Sequence, residues 1–127
     1  MEHLEIKKVI SDWVQSVQER NIEGILANHS DNIVLYDVPV PFQSIGIEAY
    51  RKTWEQSFFN GTASGIYEIL DLTIESGSEV AFCFGTFKCS WNNKGTFEDL
   101  RFRLTIGLRK INNVWTILHE HHSIPSE

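Results

Sequence analysis

Past Gly65 the chain reads as a succession of long strand segments with only short turns between them, and this restricts its fold more than any other feature. Ile66–Ile74, Val80–Trp91, Thr96–Lys110 and Val114–Ile124 are rich in β-branched and aromatic residues, the composition of a pleated, half-buried surface. The connections are Ser76-Gly77-Ser78, Asn92-Asn93-Lys94-Gly95 and Asn112-Asn113. Turns this short, built from residues that tolerate positive φ, make antiparallel hairpins.

The first half has a different period. Leu4, Val9, Ile10, Trp13, Val14 and Val17 recur at three- and four-residue spacing, which predicts an amphipathic helix over 3–19 with Trp13 inward. Asn21 is placed to cap a short helix over 22–28, with Glu23 in its first turn and His29 at its end, where a cation complements the dipole. Ile33–Val38 reads as a strand, stopped by Pro39 and Pro41, which lack the amide hydrogens a ladder needs. A loop to Gly46 follows, then a third helix from Ile47 through Tyr50, Trp54, Phe58 and Phe59, broken by the cluster 60–65. Three helices followed by a meander of strands predict an α+β fold, with the helices on one face of an antiparallel sheet.

At 127 residues the chain fits one domain, 1–127, and 42% hydrophobic residues supply its core. The net charge of −6, with no basic run longer than two, argues against a nucleic-acid ligand. No apolar stretch approaches the roughly 18 residues of a membrane span, and the amino terminus lacks a signal-peptide layout, so a cytoplasmic protein is expected. Cys83 and Cys89 lie on one predicted strand about 20 Å apart, too far for a disulfide, and read as free thiols.

The chemistry concentrates at the carboxyl end, in Trp115-Thr116-Ile117-Leu118-His119-Glu120-His121-His122-Ser123. Alternate side chains of a strand face alternate sides, so titratable groups are offered to both faces of the sheet. Which ones face inward depends on register. If Asn112-Asn113 is a two-residue turn and no residue slips, Thr105 lies opposite Glu120 and Arg103 opposite His122. His119, His121 and Ser123 then share the other face with Trp115 and Ile117. A single bulge moves Arg103 and Thr105 to the His121 side, because one residue of slip exchanges the faces. His119 and His121, two apart, have the spacing of two zinc or iron ligands, but a third such as His29 or Asp37 would have to come from far along the chain. No metal and no other cofactor is assigned.

The order helix, short helix, strand ending in Asp37-Val38-Pro39, helix with Tyr50 and Trp54, then hairpins closing on Arg103-Leu104-Thr105 and on Trp115-x-Ile117-x-His119-Glu120-His121-His122 resembles the SnoaL-like branch of the nuclear-transport-factor-2-like (NTF2-like) superfamily. That group includes ketosteroid isomerase, polyketide cyclases, scytalone dehydratase and the association domain of calcium/calmodulin-dependent kinase II. The resemblance implies a cone: a strongly curved mixed or antiparallel sheet wrapped around three amino-terminal helices, open at one end to an apolar pocket, commonly dimerised through the sheet's outer face. Asp37 falls where the isomerases resemble this chain and carry their proton-abstracting aspartate; read locally, it is equally a strand-end residue capping the next turn. Trp13 falls at the position of their oxyanion-stabilising tyrosine, with an indole N–H in place of a phenol, and is otherwise a core aromatic.

These readings make Asp37, Arg103 and His121 the candidate catalytic residues, with Trp13, Trp54, Thr105, His119 and His122 as substrate-binding candidates. An arginine in a pocket cannot shed its charge and must be matched to an enolate or carboxylate; on the outer face, beside Arg101 and Arg109, it is an ordinary surface residue. The function expected is removal of a proton next to a carbonyl, in an isomerase, cyclase or dehydratase without a cofactor, on a small apolar carbonyl or carboxylate compound. The alternative is a ligand-binding or dimeric assembly module of the same fold.

Overall fold

The amino-terminal helix α1 (Glu2–Glu19) buries Ile6, Ile10, Trp13 and Val17, a stripe at four-, three- and four-residue steps. Leu4, expected on that stripe, is 64% exposed. It precedes Ile6 by two residues, and two steps of about 100° put it on the opposite face. The computed structural model describes residues 2–38, 41–58, 63–93 and 96–125. Asn21 caps α2 (Ile22–Leu26) as expected, its side chain accepting the Gly24 amide at 3.2 Å.

Strand β1 (His29–Tyr36) begins four residues earlier than its β-branched run suggests, and His29 is its first residue rather than a helix-end cation. The following segment, expected as loop, contains the two-residue strand β2 (Ser44–Ile45), paired antiparallel with β1 at Val34 and Leu35. Two residues carry no readable alternation. Gly46 then turns the chain at φ 95°, in the left-handed region that favours glycine, and starts α3 (Ile47–Thr53). The helix widens into one π-helical turn over Trp54–Phe58. The expected helix end at Phe59, the breaker residues 60–62, Pro39 and the hairpin residues 94–95 lie outside the described residues.

The rest is sheet: β3 (Ala63–Ser76), β4 (Val80–Asn93), β5 (Thr96–Ile111) and β6 (Val114–Ser123). Consecutive members pair antiparallel, so the hairpins form as their turns predict. Asn112 and Asn113 both take positive φ, 51° and 63°, and Ile111 pairs with Val114 across them. The complete order is β2-β1-β6-β5-β4-β3, with β1 and β6 parallel, so the sheet is mixed, open and six-stranded. α1 touches both β3 at one edge and β6 in the middle, so the sheet bends around it. The core fills that concavity, with Leu104, Ile106 and Leu108 of β5, Cys83, Phe87 and Cys89 of β4, and Trp115 and Ile117 of β6 all turned toward the helices. At Gly85, paired with Leu72 just past a bulge of β3 between Ile69 and Asp71, an added Cβ would collide with the Asp71 carbonyl.

The decisive irregularity is in β6. Leu108 pairs with Ile117 but Gly107 pairs with His119, so Leu118 is an extra residue. Trp115 and Ile117 point inward before the bulge, and Glu120 and His122 after it.

Candidate active site

Beyond the bulge, the inner face of β6 carries two titratable side chains, Glu120 and His122, both buried. β1 runs parallel beside it and contributes His29 at its start and the residue after its end, Asp37. α1 and α3 supply Trp13 and Tyr50 from above. These six residues form one connected polar network inside an aromatic wall.

Glu120 is its centre. Oε2 accepts the Tyr50 hydroxyl at 2.8 Å and lies 2.7 Å from His29 Nε2, and the Trp13 indole N–H donates to Tyr50 Oη at 3.0 Å. Both ring nitrogens of His29 face atoms that can only accept, Nδ1 the Ala27 carbonyl oxygen at 2.8 Å and Nε2 the Glu120 carboxylate, so the ring donates to both. The other carboxylate oxygen, Oε1, is 3.3 Å from His122 Nε2, an ion-pair contact too oblique for a hydrogen bond. His122 Nδ1 in turn faces Asp37 Oδ1 at 3.6 Å.

Burial pushes the Glu120 carboxyl up, but the close contacts and charges of His122 and His29 outweigh it and hold the group down at about 2. Burial likewise pushes the His122 imidazole down, while Asp37 and Glu120 raise it to about 9. The network therefore holds a carboxylate and an imidazolium at neutral pH. Tyr50 is raised well above the ordinary phenol value, by burial and then by the Glu120 charge, and stays a neutral donor. Tyr67, across the interior on β3, is raised by burial, Glu120, Cys89 and Asp37. Cys83 and Cys89 are pushed up to about 11, chiefly by burial, so neither thiol ionises at neutral pH.

Aromatic rings enclose the imidazolium. Phe87 meets His122 edge-on at 5.4 Å and Trp13 lies 6.3 Å away, with Trp54 and Tyr67 packed edge-on against Trp13 at 6.1 and 5.7 Å. Asp37 is the most open member, its side chain 24% exposed, and its Oδ1 also accepts the Val38 amide at 2.7 Å. Asp37 thus caps its own turn, as the local reading expects, and it also ends the buried network.

Asp37, His122, Trp13 and Trp54 are brought together. The other four candidates are not. Arg103 and Thr105 are exposed on the outer face because they alternate with inward Leu104 and Ile106 along β5, and the Leu118 bulge brings exposed His121 and half-buried His119 to that same face, setting Thr105 opposite His121 and Arg103 opposite Ser123. Arg103 Nε donates to Ser123 Oγ at 3.0 Å, and His119 Nδ1 lies 2.7 Å from the Val34 carbonyl oxygen. The pocket placement expected of Arg103, Thr105 and His121 is therefore corrected: the alternation of β5 turns Arg103 and Thr105 out, and one inserted residue in β6 turns His121 out and Glu120 in. His29 and Asp37 also lie on the opposite side of the sheet from His119 and His121, and among the described residues no three potential ligands group for a metal. Glu120, His29 and Tyr50 were not singled out from sequence. A carboxylate alternating with histidines in an apolar strand was the signal for Glu120; its partner His29 is 91 residues away.

A family model for the SnoaL-like domain matches residues 6–127. The chain belongs to the SnoaL-like family. Its structure is similar to that of an NTF2-like protein of unknown function from Pseudomonas putida, at 28% identity and a TM-score of 0.88, covering 100% of this chain and 90% of that one. A ketosteroid isomerase-like protein from Erwinia carotovora is 18% identical with a TM-score of 0.81, covering 98% of this chain and 96% of that one. A putative calcium/calmodulin-dependent protein kinase II association domain from Xanthomonas campestris shares the fold at 17% identity and a TM-score of 0.80, covering 97% and 88% of the two chains. No curated protein matches the sequence. Among the described residues no helix of this SnoaL-like chain is long and apolar enough to cross a membrane.

Proposed function

We propose that this SnoaL-like chain is an acid–base enzyme that moves a proton on a small molecule without a cofactor, in an isomerase, cyclase or dehydratase reaction, with Asp37 as the base. The observation that carries this reading is the placement of one partly open carboxylate at the end of an otherwise buried network. Glu120, fixed by Tyr50 and His29, fixes His122, and His122 orients Asp37. Both ring nitrogens of His122 face carboxylates, so His122 is a positioning residue and Asp37 is the group left to meet a substrate. The likeness to a ketosteroid isomerase-like protein supports the reaction class by analogy of fold. Arg103 and Thr105 cannot stabilise a developing enolate from the outer face. Tyr67, kept protonated by its surroundings, is the neutral hydroxyl of the inner wall suited to that task.

The test is deuterium exchange, followed by NMR, into a panel of small cyclic ketones and β-hydroxyketones in D2O. Wild-type protein should catalyse exchange in at least one, and Asp37→Asn should slow it by roughly 10²-fold or more. Exchange that is absent throughout, or indifferent to Asp37, overturns the proposal.

One observation favours the assembly reading as an addition. The outer face exposes Phe82 and Phe84, 50% and 46% open and 6.1 Å apart, beside Tyr36, His119 and His121. An aromatic sheet face of this kind marks an interaction surface, and a second copy of this chain is the partner we assign to it. A single chain's mass in light scattering, unchanged by Phe84→Glu, contradicts the dimer.

A further inference from the structure

Seen from outside, the sheet sorts its charges by strand. β3 turns three carboxylates outward, Glu68, Asp71 and Glu75, and β5 three guanidinium groups, Arg101, Arg103 and Arg109, all exposed. Strand β4 lies between them and presents Phe82 and Phe84. The ladders align the two columns: Asp71 and Arg103 both pair with Thr86, and Glu68 and Arg101 both pair with Lys88. Two strand spacings, roughly 9–10 Å, separate acid from base within the chain. Among the described residues none of the six forms an ion pair; Asp71 accepts from the Thr86 hydroxyl and Arg103 donates to Ser123.

Complementary columns that cannot reach each other in one chain can do so in two. A closed pair of identical faces needs a two-fold axis lying in the contact plane. An axis along β4 carries β3 of one copy over β5 of the other, because both flank β4 at one strand spacing. It also keeps the rows, so that Asp71 of each copy comes over Arg103 of the other and Glu68 over Arg101. Phe82 and Phe84 then meet their own copies in the middle, and Lys88 keeps Glu68 of its own chain as its ladder neighbour. Face-packed sheets cross at about 30°, so the match is tightest beside that aromatic centre, at Asp71 and Arg103. An axis across the strands, or one along β5, sets arginine column on arginine column. Two chains of net charge −6 repel one another, which makes local matching decisive.

We infer that the chain forms an isologous dimer with its two-fold axis along β4, the acidic column of β3 in each copy seated on the arginine column of β5 in the other. This rests on the dimer reading above and adds to it which surfaces meet.

Charge reversal across the two copies tests it. Asp71→Lys and Arg103→Glu, each alone, should weaken dimerisation at least roughly tenfold, since symmetry installs each new like-charge contact twice. Mixed in equal amounts, the two variants should form a heterodimer about as tight as the wild-type dimer, followed by light scattering and native mass spectrometry, because each substitution then faces an opposite charge. Mixing cannot repair a misfolded chain, so the heterodimer reports the contact itself. Glu68→Lys with Arg101→Glu repeats the test one row on should either first variant fail to fold. A wild-type protein that stays monomeric overturns the dimer reading and this inference together. A wild-type dimer that either single variant leaves intact, or a mixture that forms no heterodimer, overturns the inference and leaves the dimer standing.

Discussion

Replacing Glu120 by glutamine removes one charge from the centre of the network while keeping its shape. The amide oxygen can still accept from Tyr50, but His122 is left a buried cation with Asp37 as its one remaining counter-charge. At about 1.4 kcal/mol per pH unit, holding the Glu120 carboxyl at about 2 instead of its ordinary 4.5 corresponds to roughly 3 kcal/mol of stability. Breaking one side of a buried ion pair independently gives about 3–5 kcal/mol. Against a total of about 5–15 kcal/mol this is a large loss. With a urea slope near 1.5–2 kcal/mol per molar, the unfolding midpoint should fall by roughly 1.5–2 M.

The pH dependence identifies the mechanism. Glu120 is depressed on folding, so its contribution is complete above 4.5 and disappears as pH falls toward about 2. His122 is raised, so its contribution is complete below 6.5 and disappears as pH rises toward about 9. Wild-type stability should therefore plateau between those ordinary values and decline on both sides, while Glu120→Gln loses most of the acid decline. Adding His122→Phe should cost much less than the two single changes summed, because the uncompensated charge leaves with it. A Glu120→Gln protein within about 1 kcal/mol of wild type, with the acid decline intact, refutes the reasoning.

Other consequences are simpler to read. Gly85→Ala should destabilise by about 1–3 kcal/mol in the same urea assay, since the Asp71 carbonyl occupies the space a methyl needs. A thiol reagent at pH 8 should leave Cys83 and Cys89 unmodified in the folded protein and react with both in urea, because both thiols titrate near 11 and are buried.

The helices, the hairpins and the inward Trp13 were legible because each rests on a local pattern: a helical stripe, alternating strands, or an asparagine pair that accepts positive φ. The parallel pairing of β1 with β6 joins segments some ninety residues apart and leaves no local trace. Strand β2 is too short to show a period. Which half of the histidine-rich strand faces inward turned on Leu118, an ordinary apolar residue whose extra place in the ladder exchanges both faces. That exchange put His121 outside and made Glu120 the centre of the site, while Arg103 and Thr105 are outside by their alternation with Leu104 and Ile106 on β5. His29 was missed for a related reason: the end of a short helix offers a sufficient local role for a histidine, and its carboxylate partner is visible only in three dimensions.

The central claim is that a buried carboxylate and imidazolium hold Asp37 in place. The most direct measurement is the histidine ring 15N shifts followed by long-range 1H–15N correlation from pH 5 to 10. The account predicts that His122 keeps imidazolium shifts through neutrality and titrates near 9, and that Glu120→Gln lowers that midpoint. A His122 ring already neutral at pH 7 contradicts it.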